Sequence, residues 1–394
     1  MNSRKWVSDA VQSVQLSAIK DMAMRSAAVP GAVSLSWGLP SFRTPETILQ
    51  AVAEAQASDA DVGKYTLPNG LLSLRRQVAE HHLAETGVAV DPDANVFITA
   101  GNMQGMSSLL RAIIDPGDEV ILTDPGFASH IQQIRLCGGV PVPWALDEQR
   151  QWSLDVDRLP ELISERTKAI VLVSPSNPTG TVFTEAQLSR VGEIAREYQL
   201  LIFLDDPYSN FAYEHETAPY NLASDASLAD QLVYLFTFSK CHAMSGWRLG
   251  YMILPDWLRH EVLKVHDANM ICAPRISQIA GQAALSGHAD HIPTFRNTLA
   301  ARRTLICERL DRLPALFEYV KPDGAYYVFP RIVPAHDNAR SFAIQLLEEA
   351  RVAVTPGSAF GPSGEHHVRL AFCADEATIN TAFDRLEVIY GAED

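Results

Sequence analysis

The feature that most constrains the fold of this chain is a regular alternation of strand patterns and helical patterns between about residues 96 and 253. Short apolar runs at 96–100, 169–173 and 201–204 each end at a polar or glycine-containing turn. This alternation predicts a mostly parallel sheet that is covered by helices on both faces. At 394 residues the chain exceeds the usual size of one hydrophobic core, so we expect two domains.

Composition and charge argue against several classes of protein. The formal net charge is −15 and the sequence pI is near 5.2, whereas nucleic-acid binding relies on lysine and arginine to displace counterions from phosphates. Hydrophobic residues at 47% and charged residues at 20% suit a compact soluble protein. No apolar run reaches the length of a membrane span, and the N-terminus lacks the pattern of a secretory signal.

The cysteines and histidines favour a reducing compartment and no metal. Five cysteines are scattered through the chain without paired metal-ligand spacing. The pairs His81-His82 and His366-His367 do not occur in a zinc-protease pattern. We therefore expect a cytoplasmic protein that contains no structural metal.

A lysine, Lys240, follows the apolar strand pattern at 232–238, and Arg248 follows it closely. Apolar surroundings and a nearby cation destabilise an ammonium group, which leaves more of the neutral amine that attacks a carbonyl. Arg248 offers a planar cationic fork suited to a phosphate, and Thr237 and Ser239 offer hydroxyl donors. The segment therefore favours a site for an aldehyde that carries a phosphate. By itself the motif is equally consistent with a surface lysine and an arginine in a salt bridge.

A second candidate for phosphate binding is Gly101, which separates the strand pattern at 96–100 from a helical pattern. A glycine at such a turn lets free backbone N–H groups and the positive end of the helix dipole face an anion. Taken alone, a glycine that only makes a tight turn is the commoner explanation.

The stretch around Lys240 closely resembles the lysine signature of class I/II aminotransferases, the fold type I enzymes that depend on pyridoxal 5′-phosphate (PLP). Other motifs of that family follow in the same order from Gly38 to Arg369, so the resemblance covers nearly the whole chain. It implies an α/β fold, with a three-layer α/β/α domain built on a mostly parallel seven-stranded sheet at 48–284. A smaller α+β domain would combine residues 1–47 and 285–394, with the substrate bound between the two domains.

The resemblance also assigns residues to the cofactor. It implies that the backbone of Asn102 and Met103, with Thr237, Ser239 and Arg248, binds the phosphate.

Phe127, in the turn at 124–127, would stack on the pyridine ring. Asn177, in the turn at 174–180, and Tyr208 would contact the ring oxygen, and Asp205 would pair with the ring nitrogen. Asp206 stands where the family usually has glutamate, and we interpret it as structural.

Four further residues are implied to serve the substrate or a partner subunit. Trp37 and Gly38 belong to the family's Gly-x-Pro segment over the substrate carboxylate, which Asn177 also approaches. Arg369 matches the clamp for that carboxylate, although an internal salt bridge is an alternative. Tyr65 matches a tyrosine that reaches the cofactor phosphate of the neighbouring subunit, which implies a homodimer.

The activity implied is transfer of an α-amino group to a 2-oxo acid by a ping-pong mechanism, with Lys240 as both cofactor anchor and base. Met103 stands where some aspartate-specific relatives have lysine, and Trp37 and Phe127 are apolar, so we expect a neutral or apolar amino-acid donor. Arg275 is a further cation that could reach the substrate, but the sequence does not indicate the direction of its side chain. The motifs do not separate transamination from a PLP-dependent lyase, synthase or oxidase reaction, and a non-catalytic PLP-binding protein is a remote alternative.

Overall fold

The computed structural model describes residues 6–213, 219–286 and 289–391. The helices are α1 (Asp9–Gln12), α2 (Ala18–Ala28), α3 (Glu46–Ser58), α4 (Leu72–Thr86), α5 (Asn102–Ile113), α6 (Ala128–Leu136), α7 (Leu159–Leu162), α8 (Glu185–Glu197), α9 (Asp256–Asn269), α10 (Arg275–Ser286), α11 (His291–Leu310), α12 (Ala339–Glu349) and α13 (Glu376–Tyr390). The strands are β1 (Val33–Ser34), β2 (Val96–Thr99), β3 (Glu119–Asp124), β4 (Val140–Ala145), β5 (Thr167–Val173), β6 (Leu201–Asp206), β7 (Leu232–Thr237), β8 (Gly250–Ile253), β9 (Phe317–Glu318), β10 (Tyr327–Val328), β11 (Arg331–Ile332), β12 (Val352–Ala353), β13 (Thr355–Pro356) and β14 (Val368–Ala371).

Seven strands form the main sheet, in the order β2-β8-β7-β6-β5-β3-β4. β8 runs antiparallel to both of its neighbours, whereas the other adjacent strands pair in parallel. The predicted α/β fold with a mostly parallel seven-stranded sheet is therefore confirmed.

The sheet is buried on both faces, as the continuous apolar runs of its strands require. In β5 the side chains of Ile170 and Leu172 join one hydrophobic core, and those of Ala169 and Val171 join a second core on the opposite face. This alternation follows from the two-residue period of a strand. Helices cover both faces, so neither core is open to water.

The segment 294–313 contains no proline or glycine and is flanked by Pro293 and Pro314, which predicts a long helix. This helix is α11, which begins and ends three residues earlier. The prediction placed Pro293 before the helix, but Pro293 is the third residue of the first turn. Proline is tolerated there because the first N–H groups of a helix have no partner within it.

Three small sheets lie outside the main one, and β14 pairs with β10 and β13 in one of them. β1 pairs in parallel with β12, which ties the N-terminal segment to the C-terminal part of the chain. The domain limits at 48 and 285 stay a prediction. The predicted small domain also includes 1–5, 287–288 and 392–394, which lie outside the described residues.

The carboxyl ends of the parallel strands place the sequence motifs at one edge of the main sheet. β2 leads to Gly101, β5 to the turn at 174–180, β6 ends on Asp206, and β7 leads to Lys240. Ligands of open α/β sheets bind at this edge.

Within the described ranges, none of the helices combines the length and the apolar character needed to cross a membrane.

Replacing Phe203 by alanine tests the assignment of the core. Phe203 is fully buried in β6, so we expect a loss of about 3–5 kcal/mol in the free energy of unfolding. Val388→Ala, at a position that is 87% exposed, should change it by less than about 0.5 kcal/mol. Denaturant unfolding of both variants measures the difference, and equal losses would contradict the assignment.

Candidate active site

A cavity of about 310 Å³ lies at the carboxyl edge of the main sheet. Its lining includes every residue that the sequence assigns to a site except Tyr65: Trp37, Gly38, Asn102, Met103, Phe127, Asn177, Asp205, Tyr208, Thr237, Ser239, Lys240, Arg248 and Arg369. The structure thus brings together residues that are far apart in the sequence.

Lys240 projects into this cavity from the segment that follows β7. Its Nζ donates a hydrogen bond to the carbonyl oxygen of Gly38 at 3.0 Å and lies 5.8 Å from the ring centroid of Tyr326. Burial lowers the pKa of Lys240 from 10.5 to about 8, and the nearby guanidinium groups of Arg369 and Arg248 act in the same direction. Near neutral pH the neutral, nucleophilic amine is therefore a larger fraction of this side chain than of an ordinary lysine.

Asp205 is a buried carboxylate at the end of β6. Asn102 donates from Nδ2 to its Oδ1 at 2.6 Å, and Nε2 of His130 lies 3.1 Å from its Oδ2. His130 packs edge-on against Phe127, with the ring centroids 5.1 Å apart. Two side chains therefore fix the orientation of Asp205.

The sequence motifs do not point to His130, because it belongs to no metal-binding pattern. The available signal was its position, three residues after Phe127 at the start of a helical pattern. Residues at this spacing lie on one helix face, which favours contact between the two rings.

One end of the cavity is suited to an anion. Arg248 and the hydroxyl groups of Thr237 and Ser239 line it together with the N-terminus of α5. Gly101 precedes this helix with φ +83°, and a Cβ atom there would lie 2.7 Å from Nη2 of Arg248. Only glycine fits both constraints, because L side chains rarely adopt this backbone conformation.

The other end of the cavity contains Arg369, which is only 1% exposed. Its Nη1 donates to Oδ1 of Asn177 at 3.0 Å and its Nη2 donates to the carbonyl oxygen of Ser36 at 2.7 Å. Its Nε has no hydrogen-bond partner. Both acceptors are neutral, and among the residues that the structure describes Arg369 forms no ion pair.

Aromatic rings hold this guanidinium in place. The Arg369 Cζ lies 4.3 Å from the ring centroid of Tyr327 and 4.9 Å from that of Phe360. The hydroxyl groups of Tyr327 and Tyr208 are 3.1 Å apart, and Asn177 Nδ2 donates to the Tyr208 hydroxyl at 3.5 Å. Tyr327 was not among the predicted site residues.

Two predicted residues lie outside the cavity of their own chain. Tyr65 is 75% exposed and does not contribute to the lining. Arg275, whose direction the sequence left open, donates from Nε and Nη2 to Oδ2 of Asp59 at 3.2 Å and does not line the cavity.

The sequence matches the family described as aminotransferase class I and II over residues 30–386. The chain belongs to this family. Relatives include aromatic-amino-acid aminotransferase 2 from Thermococcus litoralis, which is 32% identical over 97% of this chain and 98% of the relative. An aspartate aminotransferase from Pyrococcus abyssi has the same identity and coverage. The solved aspartate aminotransferase of Thermus thermophilus with maleate is 30% identical, with a TM-score of 0.90 over 97% of this chain and 99% of that one.

The protein is therefore a PLP-dependent aminotransferase of fold type I, and the described residues fit this cofactor. The end of the cavity around Gly101 and Arg248 is suited to an anion, so it complements the negative charge of a phosphate. Asp205 supplies a carboxylate for a protonated ring nitrogen, and Lys240 supplies an amine for an aldehyde. These three requirements are met within one cavity.

Substituting Gly38 tests how closely the segment at 36–38 is packed. A Cβ atom at Gly38 would lie 2.8 Å from Cζ of Tyr327 and closer still to its hydroxyl oxygen. We expect Gly38→Ala to lower kcat/KM by at least about tenfold, because displacing Tyr327 by 1 Å or so disturbs Arg369 and Lys240 together.

The double variant Gly38→Ala/Tyr327→Phe provides the control, because it removes the nearest clashing atom. It should recover part of the lost kcat/KM in a steady-state assay. A double variant that is no more active than Gly38→Ala would contradict this steric explanation.

Proposed function

We propose that this aminotransferase takes a neutral or apolar amino acid as its donor. We also propose which residues of the cavity bind the substrate, bind the cofactor and transfer the proton. The observation that supports this proposal is the environment of Arg369. Its guanidinium is buried, and its hydrogen-bond acceptors among the described residues are neutral. A buried cation without an anion is costly, and a guanidinium fork matches a carboxylate in geometry. Arg369 therefore binds the α-carboxylate of the substrate.

The cofactor's chemistry is that of an electron sink for the bond that breaks at the substrate Cα. Phe127 would pack against one face of the cofactor ring, and Asn177 and Tyr208 would contact its ring oxygen. Asp205, which Asn102 and His130 orient, would pair with the ring nitrogen. The hydroxyl groups of Thr237 and Ser239, Arg248 and the backbone N–H groups of Asn102 and Met103 would hold the phosphate.

Lys240 would anchor the cofactor and act as the base that moves the proton. Its lowered pKa, about 8, gives Nζ a basicity close to the working pH, which favours general base catalysis. Nζ donates a hydrogen bond to the carbonyl oxygen of Gly38, and Arg369 donates one to the carbonyl oxygen of Ser36, two residues earlier. The amine and the guanidinium therefore contact the same short segment. A substrate held by Arg369 therefore has its Cα near Nζ.

The preference for a neutral or apolar donor rests on the walls of the cavity. Trp37, Met103 and Phe127 present apolar surface. Arg275 is paired with Asp59 and supplies no charge to its own cavity. The names of the relatives include both aromatic and aspartate aminotransferases, so the family alone does not decide the donor.

We also propose a homodimer in the cytoplasm. Tyr65 and Leu67 are 75% and 67% exposed, so this apolar loop is available to reach the phosphate end of a partner's cavity. All five cysteines are free thiols, which suits a reducing compartment.

A half-reaction tests the donor and the reaction together. Purified protein with PLP is mixed with single amino acids and no oxo acid, and its visible absorption is followed. We expect pyridoxamine phosphate and the matching 2-oxo acid, fastest with neutral or apolar amino acids. Release of ammonia, a thiol or peroxide instead would indicate a lyase or oxidase reaction, and fastest conversion of aspartate would contradict the proposed donor.

Lys240→Ala should abolish turnover, because it removes both the anchor and the base. The matched control is Lys264→Ala, which changes a surface lysine paired with Glu261. Steady-state assays compare the two, and full activity of Lys240→Ala would refute the assignment.

Arg369→Ala should reduce kcat/KM by about 2–5 kcal/mol of transition-state stabilisation, because it leaves the substrate carboxylate unpaired. Amino-acid amides lack this carboxylate, so their slow reaction should lose much less. Equal losses for acids and amides would show that Arg369 supports the structure rather than the carboxylate.

A further inference from the structure

The carbonyl oxygen of Gly38 accepts hydrogen bonds from two side chains at once. Nζ of Lys240 donates to it at 3.0 Å, and the hydroxyl group of Tyr326 donates to it at 3.3 Å. Lys240 has a second task in the proposed function, because its amine would bond to the cofactor. The proposed function assigns nothing to Tyr326, although its side chain is fully buried beside the site.

The segment that carries this carbonyl group depends on side chains for its position. Residues 35–45 lie between β1 and α3, outside the helices and strands of the described chain. The carbonyl oxygen of Ser36 also has two donors, Nη2 of Arg369 at 2.7 Å and the hydroxyl group of Thr355 at 2.9 Å. The carbonyl groups of Ser36 and Gly38 therefore each have one cationic donor from the site and one neutral hydroxyl donor.

Packing fixes the direction of the Tyr326 hydroxyl group. The ring of Tyr326 lies edge-on to that of Tyr208, with the centroids 5.2 Å apart, and 4.8 Å from the centroid of Tyr327. A buried tyrosine hydroxyl needs a partner, and a ring enclosed in this way keeps its hydroxyl group on the Gly38 carbonyl. Tyr326 does not line the cavity, so it acts on the site through Gly38.

Lys240 gives up its hydrogen bond to Gly38 when it anchors the cofactor. Its neutral amine would attack the aldehyde carbon, and a C=N bond would replace the C=O bond. The aldehyde oxygen would leave as water with both hydrogens of the amine. The nitrogen that results retains at most one proton and is fixed at the cofactor. Among the described donors, only Tyr326 then remains for the Gly38 carbonyl.

A carbonyl oxygen without a donor would be costly in the filled cavity. Gly38 lines the cavity, so a bound cofactor displaces water from this region. Leaving a buried acceptor unsatisfied changes an equilibrium constant by about fivefold or more. The Tyr326 hydroxyl group removes this cost from the state in which Lys240 is bonded to the cofactor.

We propose that Tyr326 is a positioning residue that keeps the Gly38 carbonyl hydrogen-bonded while Lys240 alternates between a free amine and the bond to the cofactor. Its hydroxyl group holds the segment at 36–38 in one place in both states, so Ser36 keeps its contact with Arg369. This inference rests on the proposed function, since it requires Lys240 as the anchor.

Two forms of the cofactor separate the two states of Lys240. PLP carries the aldehyde that bonds to Lys240, whereas pyridoxamine phosphate carries an amine and leaves Lys240 free to donate to Gly38. Isothermal titration calorimetry of the full chain, freed of cofactor, measures the Kd of each. In Tyr326→Phe we expect the Kd of PLP to rise by at least about fivefold and that of pyridoxamine phosphate to change by less than about twofold.

Lys240→Ala supplies a background in which this difference should vanish. Neither form of the cofactor can bond to alanine, so adding Tyr326→Phe should change both Kd values by the same factor. Tyr319→Phe is the matched control. It removes a hydroxyl group that donates to the carbonyl oxygen of Cys307 at 3.2 Å, outside the cavity, and should change neither Kd by more than about twofold.

Equal losses for both forms in Tyr326→Phe, or no loss for either, would overturn the role of Tyr326. A selective loss of PLP binding that persists in the Lys240→Ala background would also overturn it, because the effect would not pass through the lysine. Borohydride reduction of the PLP-loaded protein, followed by mass spectrometry, tests the anchor separately. Without a modification at Lys240 the proposed function and this inference both fall, whereas a modified Lys240 with equal losses refutes only the role of Tyr326.

Discussion

The buried guanidinium of Arg369 is the interaction on which the site depends. It joins β14 to the turn at Asn177 and to the segment at Ser36, and the rings of Tyr327 and Phe360 enclose it. Neutral acceptors satisfy part of the hydrogen-bonding capacity of Arg369, and among the described residues no carboxylate pairs with its charge. In the proposed function a substrate carboxylate completes this arrangement, so binding energy and orientation would come from the same contact.

The sheet explains why so many short motifs converge. Parallel strands end at one edge, and the turns after β2, β5, β6 and β7 therefore meet there although they are far apart in the sequence. The C-terminal part of the chain then contributes Arg369 from the opposite side. In the proposed function, the main sheet presents the groups for the cofactor, and β14 presents Arg369 for the substrate.

The sequence predicted the sheet well because buried parallel strands are continuous apolar runs, and it located the site because the motifs follow those runs. It placed the ends of α11 less well, since Pro293 reads as a boundary although the first turn tolerates it. Tyr327 was not predicted, because its contacts with Tyr208 and Arg369 arise from packing between distant segments. His130 was not predicted either, although its spacing from Phe127 is a local signal.

The pairing of β1 with β12 has a consequence for biosynthesis. Val33 and Ser34 find their strand partners, Val352 and Ala353, only near the other end of the chain. The main sheet is complete much earlier, when β8 has been made. During translation the cofactor side of the site can therefore form while the segment of Ser36 and Gly38 still lacks its support, and the substrate side is assembled only after β12 and β14 leave the ribosome.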